Sequence, residues 1–165
     1  MMALESVNIP PPGSERVLGG QGWVGLIDRM GSETSIVNAA RVSFGKMRDE
    51  MDERDAKLLR YLIENRHTSP LEHVVFTFIV HCPLFVRSQW HRHRSWSFNE
   101  ISRRYTSVDL AFYVPPAVRE QSEDNRQASV EGERLDQDAC RALIEEQNRA
   151  GLACYNRLLE MGVCR

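Results

Sequence analysis

Between Gln89 and Tyr105 the chain reads Q-W-H-R-H-R-S-W-S-F-N-E-I-S-R-R-Y. Arg92, Arg94, Arg103 and Arg104 lie in this run, Arg87 precedes it by one helical turn, and a single acid, Glu100, opposes them. In a chain of net charge -2, positive charge this concentrated points to a ligand with several anionic oxygens. Guanidinium forks bind such oxygens in pairs, His93 between two arginines adds an imidazole whose charge can change, and Ser97, Asn99 and Ser102 add short polar groups. The inventory suits a phosphate-bearing ligand with a polar ring attached. An Arg-rich run can also be no more than a solvated face. Here Trp90, Trp96 and Phe98 interleave with the charges, and all five histidines fall between His67 and His93, which a solvated face does not require.

The chain contains no G-x-G-x-x-G and no Walker A string, so a nucleotide must be gripped by side chains rather than by a glycine-rich turn. Ser97 and Ser102 have no sequence-local base and read as hydrogen-bonding groups before nucleophiles. A metal site built on His67, His73, His81, His91 and His93 is disfavoured by few acidic partners, unsuitably spaced cysteines and arginine neighbours. Interleaved Arg, Trp and Phe also resemble a single-strand stacking platform, but the slightly acidic balance and the shortness of the patch argue against a nucleic-acid partner.

Those residues need a scaffold. A length of 165 residues at 42% hydrophobic content fits one domain able to bury a core. Cys82, Cys140, Cys154 and Cys164 show no C-x-x-C spacing and are expected to be free, mostly buried thiols of a reducing compartment. No apolar run reaches membrane-spanning length and residues 1–22 lack a signal-peptide core, which predicts a cytoplasmic protein with no membrane partner. Pro10 to Pro12 and Gly19-Gly20 mark residues 1–22 as a flexible extension, leaving 23–165 as the domain.

The patterns predict a strand over Trp23–Met30 and a helix capped by Ser32 or Thr34 and running to Ala40. A second helix follows over Asp52–Asn65, then a polar corner forced by Pro70 at Thr68-Ser69. Val74–Val80 reads as a strand covered on both faces, and Leu84–Trp90 as a short helix that delivers the basic run. Val108–Val114 reads as another strand and 117–134 as a mobile loop. Leu135–Met161 reads as a long helix with Gly151 as its bending point and Gly162 as its C-cap. The sum is an α/β or α+β domain with a small, mostly antiparallel sheet, flanking helices and a long C-terminal helix.

The string R-H-R-S-W-S-F-N-E-I-S-R-R resembles the signature R-H-R-x-x-S-x-N-E-x-S-x-R of the flavin-dependent thymidylate synthases, with every fixed position filled. The likeness extends to the preceding Q-W, to R-H-T-S-P-L-E-H at Arg66 to His73 and to N-A-A-R-V-S-F at Asn38 to Phe44. The resemblance implies methylation of dUMP to dTMP, with methylenetetrahydrofolate giving the carbon and FAD reduced by NADPH giving the hydride. It implies that Ser69, Arg92, His93, Arg94 and Glu100 bind FAD and that His67 gates access to the flavin. It places dUMP on Gln89, Trp90, His91, Arg92, Glu100, Ile101, Ser102, Arg103 and Arg104, with Ser102 and Arg104 at the phosphate. It further implies a homotetramer whose sites are shared between subunits. Members of the family continue past the point where this chain stops at Arg165, and the missing part holds their uracil-activating Arg. An inactive fragment that keeps flavin or nucleotide binding, or oligomerisation alone, is therefore the competing expectation.

Overall fold

The structure is a computed structural model that describes residues 9–106 and 110–165. The chain divides into two compact units, Arg16–Trp23 with His81–Arg165, and Pro10–Glu15 with Val24–Val80. Strands β1 (Glu15–Val17), β2 (Gly22–Met30) and β3 (Val75–His81) form one small sheet in that order.

In the Val24–Val80 unit the chain leaves β2 at Gly31, where φ is +85°. Ser32 then starts helix α1 (Glu33–Arg41): its hydroxyl accepts the Ser35 amide at 3.4 Å, and the Ser35 hydroxyl accepts the Ser32 amide at 3.1 Å. Asp52 starts α2 (Glu53–Glu64) in the same reciprocal way, taking the amides of Arg54 and Asp55 at 2.8 and 2.9 Å. Helix α1 packs against α2 and against a 3₁₀ turn at Ser69–His73. Val37 and Leu62 are buried there, together with the carboxylate of Asp55.

In the other unit Trp23 is buried and stacks on His81 with ring centroids 5.9 Å apart. Helix α3 (Leu84–Trp90) follows Pro83, whose fixed φ of −60° and carbonyl, accepting the Val86 and Arg87 amides, launch the first turn. A two-stranded antiparallel hairpin pairs β4 (Glu120–Gln121) with β5 (Ser129–Val130). The long helix α4 (Gln137–Glu160) is capped by Asp136, which accepts the Ala139 amide at 3.0 Å. It ends at Gly162, φ +87°, with the Val163 amide returning to the Leu158 carbonyl.

The α+β class, small antiparallel sheets and long last helix match the expectation. Several details do not. Residues 15–17 are a strand of the main sheet rather than part of a flexible extension, while 1–8 lie outside the described residues. Leu110–Val114 is not a strand, and 107–109 lie outside the described residues. The side-chain amide of Gln21 takes the place of a neighbouring strand, donating to the Val114 carbonyl at 2.6 Å and accepting its amide at 3.1 Å. The stretch 117–134 holds a hairpin instead of an unstructured loop. Its order comes from polar bonds that hydrophobic periodicity does not register: Glu120 accepts the Arg134 amide at 2.6 Å and Nε at 2.9 Å, and Gln137 bridges Val118 and Gly132. Strand β3 is not covered on both faces, since Val75, Phe76 and Phe78 are exposed in the single chain. Helix α4 runs through Gly151 as one element. The four cysteines are free, but Cys82 and Cys140 are only half-buried and Cys154 and Cys164 are exposed.

Candidate functional site

Helix α3 carries the basic run out of the sheet. Its turns tighten at the end, with the His91 amide on the Arg87 carbonyl at 2.9 Å, that of Arg92 on Gln89 at 3.2 Å and that of His93 on Trp90 at 3.0 Å. Arg87, in the last turn, is paired with Glu100, Nε to carboxylate 2.8 Å. Aromatic contacts fix the segment between them. His91 lies on Phe98 at 4.2 Å, while Trp90 meets Trp96 and Phe98 edge-on at 5.6 and 6.4 Å. Trp96 and Phe98, two residues apart, are nearly parallel at 6.5 Å. The loop is thus held to α3 by rings and by one ion pair, and its polar groups are left to face outward.

Arg92, Arg94 and Arg104 are those groups. All three are exposed, and no acid among the described residues lies within ion-pair distance of them. Ser102 opens a turn, its carbonyl accepting the amides of Tyr105 and Thr106 and its hydroxyl accepting the Arg104 amide at 3.3 Å. Gln89, His93, Glu100, Ile101 and Arg103 are exposed on the same segment, while Trp90 and His91 are half-buried beneath it. Uncompensated guanidiniums in one short segment repel each other, and an anion relieves that repulsion.

His67 and Ser69 belong to the Val24–Val80 unit. The His67 amide returns to the Leu62 carbonyl at 2.8 Å, after Arg66 has taken a positive φ of 53°. Its ring meets Tyr61 edge-on at 5.6 Å. Ser69 is exposed at the start of the 3₁₀ turn, where the Thr68 carbonyl accepts the Leu71 amide at 2.8 Å. Gln89 to Arg104 thus lie on one continuous segment, and His67 and Ser69 on the turn that follows α2.

Two concavities of about 370 and 340 Å³ are lined by Glu120, Glu131, Glu133 and Arg134, and by Phe112, Glu145, Arg149 and Leu152. Neither includes any of the residues above. Among the described residues no three His, Cys, Asp or Glu side chains are grouped to hold a metal ion, and no helix is long and apolar enough to cross a membrane. Arg41, Arg48 and Asp55 form a charged cluster around a buried carboxylate that no sequence motif singles out. The available signal was an acid on the stripe of α2 that otherwise carries Leu59 and Leu62.

Residues 25–165 match the family model described as thymidylate synthase complementing protein. The chain belongs to the flavin-dependent thymidylate synthase family. It is similar to the flavin-dependent thymidylate synthase of Thermus thermophilus, 48% identical over 145 residues that make up 88% of this chain and 53% of that one. The enzyme of the same name from Thermosipho africanus is 45% identical over 147 residues, 88% of this chain and 64% of that one. Among solved structures, the UMP/dUMP methylase PolB of Streptomyces cacaoi bound with 5-Br UMP superposes with a TM-score of 0.71 at 36% identity, covering 87% of this chain and 62% of that one. The same protein bound with 5-Br dUMP gives 0.68. The chain spans between about half and two-thirds of the length of these similar proteins.

Proposed function

We propose that the chain supplies the flavin- and nucleotide-binding segment of an enzyme that methylates dUMP to dTMP, with methylenetetrahydrofolate as carbon donor and NADPH as reductant of FAD. The names of its relatives and the uridylate analogues bound in the PolB structures support this reading. The observation that carries it is the trio Arg92, Arg94 and Arg104, exposed and without an acidic partner among the described residues, on a loop pinned to α3.

The donor set fits FAD and a nucleoside monophosphate. Arg92 and Arg94 offer forks for a pyrophosphate, with His93 between them, and Ser69 and Glu100 offer a donor and an acceptor for the polar edge of the nucleotide. Ser102 and Arg104 grip the dUMP phosphate. Gln89, Trp90, His91, Arg92, Glu100, Ile101 and Arg103 line the rest of the nucleotide. Glu100 lies within ion-pair distance of Arg87. His67 controls approach to the flavin. When bound, FAD supplies the hydride transfer that no side chain here can perform.

Titration of the purified chain with FAD, followed by flavin fluorescence with and without dUMP, tests the reading. Saturable uptake that Arg92→Ala abolishes is the expected result; uptake indifferent to that substitution overturns it.

A second observation bears on assembly. The fully buried apolar residues described are Trp23, Val37 and Leu62, whereas Phe76 is 53% exposed, Phe85 60% and Leu84 67%. We propose that copies of the chain cover these faces in a homotetramer with shared sites. Light scattering on the eluting protein checks it: a monomer at micromolar concentration contradicts it.

A further inference from the structure

We infer that Asp55 is a positioning residue for the His67–Ser69 corner, acting through α1 rather than by touching a ligand; this rests on the flavin-binding reading above. Asp55 is 1% exposed, the one buried acid among the described residues of its unit, and a buried carboxylate is costly unless paired. It accepts the Asp52 amide at 3.1 Å at the start of its own helix, and its charge partners come from two other segments. Arg41, in the last turn of α1, contacts one oxygen, and Arg48, from the loop between the helices, approaches the other at 3.5 Å.

The loop is itself fastened to α1. Asn38 donates through Nδ2 to the Arg48 carbonyl at 2.7 Å and accepts the Arg48 amide at 2.9 Å. Arg48 also pairs with Asp52, the cap of α2. The end of α1, the loop and the first turn of α2 thus close on a single carboxylate. Capping of α2 uses Asp55 as the acceptor of the Asp52 amide but requires neither arginine.

The same two helices frame the corner. Helix α1 packs directly against the 3₁₀ turn that begins at Ser69, and α2 hands the chain to His67 through the Leu62 carbonyl, on the stripe that carries Asp55 two turns earlier. Both ends of the His67–Ser69 segment are therefore referenced to the clasp. Loosening it should let Ser69 shift while leaving each helix intact.

The test uses the whole chain with Asp55→Asn, Arg48→Gln and Arg48→Lys, reading amide hydrogen exchange and FAD affinity by fluorescence anisotropy. Asp55→Asn and Arg48→Gln are expected to speed exchange at Leu71 and Val74 roughly fivefold, with α4 amides unchanged. FAD affinity should fall about tenfold in both variants and stay within about twofold in Arg48→Lys, which keeps the charge toward Asp55. Unchanged FAD affinity in the first two, or a weakened affinity without faster exchange at the corner, overturns the role. Should Asp55→Asn fail to fold, Arg48→Gln decides, since Arg48 is an exposed partner. A wild-type chain that takes up no FAD sinks the flavin reading and this role with it, whereas normal uptake by wild type and variants alike sinks the positioning role alone.

Discussion

Arg87 Nε stands 2.8 Å from the carboxylate of Glu100, so the last turn of α3 holds the acid that follows the basic run. Both side chains are partly exposed, 33% and 53%, and a pair of that kind contributes no more than about 1 kcal/mol to stability. Its use lies in direction. Arg87→Ala should cost about 1 kcal/mol or less in chemical denaturation while lowering affinity for dUMP several-fold by calorimetric titration. Equal affinity for dUMP would reduce the pair to a tie for the loop.

Arg92→Lys and Arg94→Lys keep the charge and lose the fork. If pyrophosphate is held by bidentate contacts, each should weaken FAD binding about tenfold, a figure in keeping with one charge-assisted bond of roughly 1.5 kcal/mol. Fluorescence anisotropy of added FAD measures it. Affinity retained in both lysine variants would mean that charge alone is read, and that the geometry of the guanidinium is irrelevant.

The amide of Asp55 and the guanidinium of Arg48 hold the Asp52 carboxyl down to about 2. The folded value lies below the usual 3.8, so the contribution of Asp52 is fully present above about pH 4 and is lost as the pH falls toward 2. The Arg134 amide and side chain likewise hold Glu120 below its ordinary range, giving the hairpin the same sign. Urea midpoints measured between pH 5 and 2 (roughly the span from ionised to protonated carboxylates) should fall more steeply in wild type than in Asp52→Asn. Asparagine caps the helix without titrating, so parallel slopes would remove Asp52 from the acid response.

The helices were legible because their caps are local. Ser32, Asp52, Pro83 and Gly162 sit where propensity and hydrogen bonding agree, and the periodicity of α2 and α4 follows directly. The run from Arg92 to Arg104 was legible for a different reason, its density of forked donors against one acid. What escaped reading is non-local and polar. The Glu120–Arg134 bond that orders the hairpin joins residues fourteen apart, and Gln21 reaches Val114 across ninety-three positions. Asp55 hid on an apolar stripe because its burial depends on Arg41 and Arg48 arriving from other segments.

Gly31 offers a separate check on what sets the corner. Its φ of +85° disfavours any side chain, and a Cβ there would stand 2.5 Å from the His73 carbonyl oxygen, a backbone atom at the end of the 3₁₀ turn. Gly162 has nearly the same φ, +87°, with nothing within 4 Å. Gly162→Ala therefore carries only the left-handed strain, about 1 kcal/mol, whereas Gly31→Ala adds a backbone displacement and should cost about 2–4 kcal/mol. Asparagine tolerates positive φ, so Gly162→Asn should recover most of its loss. Gly31→Asn should not, because the collision with His73 remains. Urea unfolding of the four variants reads the difference, and recovery at both positions would show that torsional strain, not the closeness of the turn at Ser69–His73, is what requires glycine at 31.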